Sequence, residues 1–345
     1  MTRRLTVVSV AYPFAPVTAD PAGGAEQVLA QLDRALVAAG HRSIVVAAAG
    51  SSVAGELVAI PAHDGEITAP VRHAAQAAVR AAVAGVLGRE AVDIVHLHGL
   101  DFASYLPAAG PPVVVTLHLP LDWHPADALR PTRAGVHLVP VSANQAARAP
   151  AGIKLLPPIL NGVDTAIYQL REGERRRAVV LGRVAREKGF HDALAAARLA
   201  DMPLIAAGAI YPYPDHQRYF AEEVRPLLDD RRTFIGPVAG EAKRRLLAEA
   251  RCVLIPSTAP ETSSLVAMEA LASGTPVIAY RSGALPDIVE HGVTGYIVDD
   301  VAGMADAIGR IGAIDPAVCR AEALRRFPLA RTTAAYLDLY RKLAA

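Results

Sequence analysis

The sequence predicts an α/β protein of two doubly wound domains facing a central cleft, and three observations carry that expectation. Short apolar runs alternate with segments of helical spacing along the whole chain. The runs are apolar on both faces, as parallel strands buried between helical layers require. A length of 345 residues also exceeds what one hydrophobic core ordinarily organises.

The first half reads as strand Leu5–Val10, helix Ala25–Ala39 closed by Gly40, strand Ser43–Ala48, an Ala-rich helix Pro70–Leu87 broken at Gly88, then strands Asp93–Leu97, Val113–Leu117 and His137–Val141. The second half repeats the alternation. Its strands are Ala178–Leu181, Pro203–Ala206, Thr233–Ile235, Cys252–Ile255, Pro276–Ala279 and Tyr296–Val298. Its helices are Gly189–Ala200, Glu241–Ala250, Ser263–Ser273, Leu285–Glu290 and Val301–Ile311. A turn-rich, then charged stretch, Asn161–Arg177, reads as the linker. The expected domains are residues 1–165 and 166–328, with a last helix, 329–345, placed to cross back to the N-terminal domain.

Composition removes several function classes. Net charge is +1, with 11 Lys+Arg against 12 Asp+Glu in residues 1–165 and 24 against 22 in the rest, so neither half has the basic excess of a nucleic-acid binder or a strong membrane anchor. No charge-free apolar run reaches the ~18 residues of a membrane span. Two widely separated cysteines, Cys252 and Cys319, give neither a disulfide framework nor a zinc spacing, and a cytoplasmic setting is expected. Oligomeric state is not legible.

Four segments can carry chemistry. In Glu261-Thr262-Ser263-Ser264-Leu265-Val266-Ala267-Met268-Glu269 two acids lie eight positions apart, after an apolar run ending at Pro256. One carboxylate falls on a loop at the carboxyl end of a strand, where open sheets bind ligands, and the other inside the next helix. The N–H groups near Ser264–Val266 suit phosphate oxygens, so the segment fits a ligand with hydroxyls and an anion, such as a nucleotide sugar. Glu261 suits sugar hydroxyls, and the deeper Glu269 a ribose diol. The second segment, Gly182-Arg183-Val184-Ala185-Arg186-Glu187-Lys188-Gly189, clusters cations on a strand-to-helix loop. Arg183 can grip a diphosphate as a planar fork and Lys188 as a point charge. The third, Gly23-Gly24-Ala25-Glu26, lets backbone approach a ligand at a helix start, although alone it reads as a flexible loop. The fourth is a set of strand-end histidines, His96, His98 and His118; the first two are expected on opposite faces, and His118 is the preferred catalytic one. No His-x-x-x-His pair favours a metal.

These segments, in this order, resemble glycosyltransferase family 4, a group of retaining enzymes with the GT-B fold. The resemblance spans nearly the whole chain and is strongest from Val179 to Val298, where the cationic loop, the two acids, Ala272-Ser273-Gly274-Thr275-Pro276 and Gly292-Val293-Thr294-Gly295 fall in register. Asn161-Gly162-Val163-Asp164, Val95-His96-Leu97-His98 and Thr116-Leu117-His118 add to it. The resemblance implies a nucleoside-diphosphate sugar as co-substrate, no cofactor and no obligatory metal. Arg183 and Lys188 would hold the diphosphate, Glu261 the donor sugar, Glu269 the ribose, Gly23 and Gly24 the diphosphate from the other domain, and His118 the donor sugar's reacting face. A front-face reaction with a hydroxyl acceptor follows. Acceptor contacts are expected from the variable loops Tyr12–Asp20, His63–Ile67 and Asp122–Asp127 and from His98, with Tyr12 and Trp123 as aromatic candidates. Ser263 and Ser264 stand where the family often has an aromatic and a glycine. Two rivals share the motifs: another GT-B enzyme, such as an epimerase or phosphorylase, and a non-catalytic sugar-nucleotide-binding protein.

Overall fold

The structure, a computed structural model, describes residues 3–18, 21, 23–171 and 173–345. The chain divides into two compact units, residues 1–160 with 331–345, and residues 161–330.

In unit 1 the elements run β1 (Thr6–Val10), α1 (Gly24–Ala38), β2 (Arg42–Ala48), β3 (Glu56–Ile60), α2 (Ala69–Arg89), β4 (Ile94–Leu97), β5 (Val113–Leu117), β6 (Val136–Pro140) and α3 (Ala143–Ala147). The six strands form one sheet in the order β3-β2-β1-β4-β5-β6, parallel at every pairing. Valine and isoleucine dominate the interior strands because a β-branched side chain packs well on a pleated, doubly covered surface. Val8, Val46, Val95 and Val115 are wholly buried in one cluster with Phe102 and Tyr105. Strand β3 departs from the expected set: it lies at the sheet edge and is mostly half-exposed.

Unit 2 repeats the winding. It runs β7 (Arg177–Leu181), α4 (Phe190–Leu199), β8 (Leu204–Ala207), α5 (Pro214–Tyr219), β9 (Arg232–Phe234), α6 (Gly240–Glu249), β10 (Ala250–Ile255), α7 (Leu265–Ala272), β11 (Val277–Tyr280), α8 (Leu285–Ile288), β12 (Gly295–Val298), α9 (Val301–Arg310) and α10 (Pro316–Arg326). Sheet order is β12-β11-β10-β7-β8-β9, again all parallel. Helix α7 begins at Leu265, two residues later than expected, because Ser264 is its N-cap and accepts from Ala267 N. The amphipathic α10, opened by Pro316, was not anticipated.

The last helix, α11 (Leu329–Leu343), belongs to unit 1 from Arg331 onward. Its Tyr336 and Tyr340 are fully buried there, against His96. Among the described residues no helix is long and apolar enough to cross a membrane.

Both sheets share a consequence of their winding. Successive strands step outward from β1 to β3, then the chain returns to β4 on the other side; β7 and β10 repeat this in unit 2. The loops leaving β1 and β4, and those leaving β7 and β10, therefore diverge. Such a switch point is where open sheets bind ligands.

Candidate functional site

The switch point of unit 2 gathers the predicted cations and the first acid. After β7 the chain runs on beside β8, with Val184 N donating to Ala209 O at 2.9 Å. Val184 and Ala185 are wholly buried, which anchors the loop. Arg183 Nη2 meets Glu187 Oε1 at 2.7 Å. A single 3-10 turn, Arg186–Lys188, then ends at Gly189, whose φ is +66°. A Cβ on Gly189 would stand 2.2 Å from Pro256 O, so only glycine lets this turn rest on the end of β10. Thr258 N donates to Glu187 O at 2.9 Å and fastens the same two loops.

That docking brings Lys188 to Glu261. Lys188 Nζ donates to Glu261 Oε1 at 2.5 Å, and Ser257 Oγ donates to the same oxygen at 2.5 Å. The Glu261 side chain is 10% exposed and that of Lys188 31%, so the carboxylate is sheltered while the ammonium stays accessible. The backbone is fixed from β11: Ala284 N donates to Glu261 O at 2.7 Å, and Ser282 Oγ to Ala259 O at 2.7 Å. Gly283, at φ +55°, makes the approach possible, since a Cβ there would lie 2.1 Å from Glu261 O.

Beyond Glu261 the chain enters α7. Ser263 Oγ is buried with no hydrogen-bond partner, whereas Ser264 Oγ caps the helix. Leu265 is 7% exposed, and Val266 half-buried. Glu269 takes a different setting from Glu261. It is 1% exposed and its Oε1 accepts from Lys243 Nζ on α6 at 3.0 Å. The sequence reading missed Lys243, Glu187 and Ser257 as partners. Glu187 sits inside the quoted motif, but 26 residues separate Lys243 from Glu269, and no local pattern links them.

Unit 1 presents a second polar group at its own switch point. Gly23 is the N-cap of α1, and a Cβ on it would stand 1.9 Å from Glu26 Oε2. The Glu26 carboxylate thus folds back over the helix N-terminus that was expected to approach a diphosphate; Gly24, next in line, is exposed. His96 and His98 correct the expectation of opposite faces. Residues two apart in an extended chain share a face, and the two rings are 3.9 Å apart. His98 Nδ1 is 3.0 Å from His118 Nε2, and these rings also stack. His96 is bonded on both nitrogens, to Tyr340 OH at 2.6 Å and Thr116 Oγ1 at 2.7 Å, and Thr116 Oγ1 lies 2.7 Å from Tyr336 OH. Burial, reinforced by the neighbouring imidazoles, holds His96 and His98 well below the ordinary histidine range. Burial and then His124 push His118 down to about 3, so all three are neutral bases at pH 7.

Close by, the Tyr105 hydroxyl donates to Asp101 Oδ1 at 3.0 Å, and Gln76 Nε2 to Asp101 Oδ2 at 2.8 Å. Burial first, and then Asp101, raise Tyr105 well above the usual phenol range, with Tyr12 and Glu26 adding to the effect. Tyr12 packs edge-on against Phe14 at 5.5 Å. Trp123, 38% exposed on a 3-10 turn, has no bond or ring contact to His98 or His118 among the described residues. Ala19 and Asp20, at the end of one expected acceptor loop, lie outside the described residues.

Within unit 2 the structure therefore joins Arg183, Lys188 and Glu261 on two interlocked loops; within unit 1 it joins His98 to His118. A carboxylate and two cations side by side can accept from hydroxyls and hold a diphosphate.

Comparison with known proteins follows the same division. Residues 22–168 match the family model described as Glycosyltransferase Family 4, and residues 175–313 match that described as Glycosyl transferases group 1. The D-inositol 3-phosphate glycosyltransferase of Saccharomonospora viridis is 39% identical over 126 residues, 34% of this chain and 29% of that protein. That of Mycobacterium avium is 34% identical over 219 residues, 56% of this chain and 50% of that protein. The chain thus spans half or less of these two relatives. Among solved structures, the sucrose-phosphate synthase from Thermosynechococcus elongatus superposes with a TM-score of 0.80 at 20% identity, covering 99% of both chains. AviGT4, a glycosyltransferase involved in avilamycin A biosynthesis, gives 0.73 at 24% identity over 99% of this chain and 98% of its own. Anabaena HepE, solved with UDP-glucose, gives 0.76 at 20% identity over 99% of this chain and 100% of its own. The two-domain α/β architecture is that of the GT-B glycosyltransferases.

Proposed function

This chain belongs to glycosyltransferase family 4, and from that premise we propose that it moves a hexose-type sugar from a nucleoside-diphosphate sugar to a hydroxyl acceptor with retention at the anomeric carbon. The observation that carries the reading is the meeting of Lys188 and Glu261 at the unit 2 switch point, with Arg183 on the same loop.

The carboxylates of Glu187 and Glu261 neutralise the two cations. A donor exchanges these partners: its diphosphate takes Arg183 and Lys188, and its sugar hydroxyls donate to Glu261. The backbone N–H groups of Ser264, Leu265 and Val266, with the Ser263 hydroxyl, meet phosphate oxygens, and Glu269 meets the ribose. The bond from the anomeric carbon to the diphosphate oxygen breaks while the acceptor oxygen bonds to that carbon on the same face. The acceptor proton passes to the departing diphosphate. Fixed cations stabilise that leaving group in the role a divalent metal fills elsewhere, so the reaction is proposed to need neither metal nor cofactor. Unit 1 supplies the acceptor side, through Tyr12, His98 and Trp123. His118, a neutral base, serves the donor sugar, and Gly23 and Gly24 the diphosphate. Two free, buried thiols, Cys252 and Cys319, fit the cytoplasm.

The test is a thermal-shift and turnover screen with UDP, GDP, ADP and dTDP sugars in EDTA. UDP-glucose comes first because HepE was solved with it, and D-inositol 3-phosphate joins the acceptor panel because of the curated relatives. Transfer with retained configuration is the expected result. Lys188→Ala and Glu261→Ala each lower turnover by about two orders of magnitude or more, as removal of transition-state charge stabilisation does. Near-full activity in both variants rules out the site; acceptor-free epimerisation or dependence on free phosphate rules out the reaction.

A further inference from the structure

We infer that Lys243 is a positioning residue for nucleotide binding, holding the Glu269 carboxylate in place for the ribose diol; this rests on the donor reading above. Helix α7 is apolar except at Glu269, and seven of its eight residues are buried. Into this setting the fold places the ion pair of Lys243 Nζ with Glu269 Oε1 at 3.0 Å, with Lys243 only 6% exposed. A buried pair of this kind is a poor source of stability, because desolvating both charges offsets their attraction, and well-packed apolar residues of similar volume usually do as well.

The place of the pair is more informative. Lys243 lies in the first turn of α6, directly after the carboxyl end of β9. Glu269 lies five residues beyond the N-cap of α7, a rise of about 7.5 Å at 1.5 Å per residue. Both therefore sit at the sheet edge that bears Lys188 and Glu261. A carboxylate offers acceptor positions enough for an ammonium and a vicinal diol together. Lysine suits the task because it meets one oxygen as a point charge, whereas the arginine fork takes both. Without Lys243 the Glu269 carboxylate loses the ammonium that orients Oε1, and the diol loses a fixed acceptor.

The experiment measures binding of UDP, GDP and ADP and of their 2′-deoxy forms by calorimetry, for the wild type and for Glu269→Gln, Lys243→Met and Lys243→Gln, alongside thermal melts. The expected wild type prefers the ribo form by about tenfold or more, as one hydrogen bond to a charged acceptor implies. Glu269→Gln and Lys243→Met lose that preference, while Lys243→Met melts within a few degrees of wild type. Lys243→Gln, which keeps a donor without the charge, falls between them. In turnover, Lys243→Met raises the donor KM more than it lowers kcat.

A wild-type ribo preference retained in Lys243→Met overturns the inference. So does an absent wild-type preference, or one that survives Glu269→Gln, although sugar transfer then still stands. Failure of both Lys243 variants to fold makes the pair a structural pin and also overturns it. If the wild type binds no nucleoside diphosphate at all, the donor reading fails first and this one with it.

Discussion

Two glycines decide where Glu261 sits. Gly189 and Gly283 each combine a left-handed backbone with a carbonyl closer than any Cβ tolerates, Pro256 O and Glu261 O respectively. Gly283→Ala adds about 1–3 kcal/mol of backbone strain and pushes the Glu261 loop outward. On the role proposed for Glu261 at the donor sugar, a shift of about 1 Å costs roughly a hundredfold in rate, so turnover falls by one to two orders of magnitude while much of the fold survives. Circular dichroism with initial-rate assays checks both halves of that statement. The same scale explains what the sequence showed and what it hid. The placing of Arg183, Lys188 and Glu261 on facing loops was legible because each lies between a strand and a helix in a recognisable pattern. Ser257, which shares an oxygen of Glu261 with Lys188, was hidden because a lone serine four residues upstream carries no signal.

The buried histidines carry a pH prediction. His96 and His98 are 0% and 3% exposed, and both are held neutral by burial. Their folded pKa values lie below that of the unfolded chain, about 6.5, so the unfolded state binds more protons in acid. The stabilisation from neutrality is complete above pH 6.5 and is lost as pH falls below it. At pH 5 the loss is about 2 kcal/mol for each ring whose folded pKa lies well below 5. Urea titrations from pH 8 to 5 should show stability falling with acid, and a His98→Gln variant should show a shallower fall.

At the level of elements, α11 is held by chemistry as well as by packing. Tyr340 and Tyr336 bring hydroxyls to His96 and Thr116, each at 2.6–2.7 Å, in a fully buried chain of bonds. Tyr340→Phe keeps the ring and leaves His96 Nδ1 without its partner, at a cost of about 1–3 kcal/mol, read as a lower denaturation midpoint. Elements were legible where burial was two-sided and periodicity strong, as in β4, β5 and β10. Strand β3 was not, although Leu57–Ile60 is apolar, because it lies at the sheet edge with Glu56 and Ala59 exposed and so lacks two-sided burial. The orientation of His96 and His98 was knowable from the two-residue repeat of an extended chain; the expectation of opposite faces ran against it.

For the whole molecule, twofold winding was readable from the alternation of runs, but strand order was not. Nothing local in β7 or β10 says that they are neighbours, yet their adjacency sets the loops after them side by side. The return of α11 to unit 1 also yields a prediction. Ending the chain at Ala330 strips Tyr336 and Tyr340 from the core of unit 1. Hydrogen exchange should then accelerate in β4 and β5, while β7 and β10, within residues 161–330, keep their protection.

Leu160 O accepts from Thr332 Oγ1 at 2.7 Å, and Val163 pairs with Pro328, so the chain leaves unit 1 and re-enters it through adjacent backbones. Synthesis on the ribosome runs in one direction, and this closure sets an order of events. The strands of unit 1 emerge before unit 2, but the helix that encloses them is made after it. Unit 2, being continuous in sequence, is complete before it. The earlier-born half must wait with His96 and Thr116 lacking their tyrosine partners until translation passes Tyr340, and in that interval it is the part of the nascent protein most in need of a chaperone.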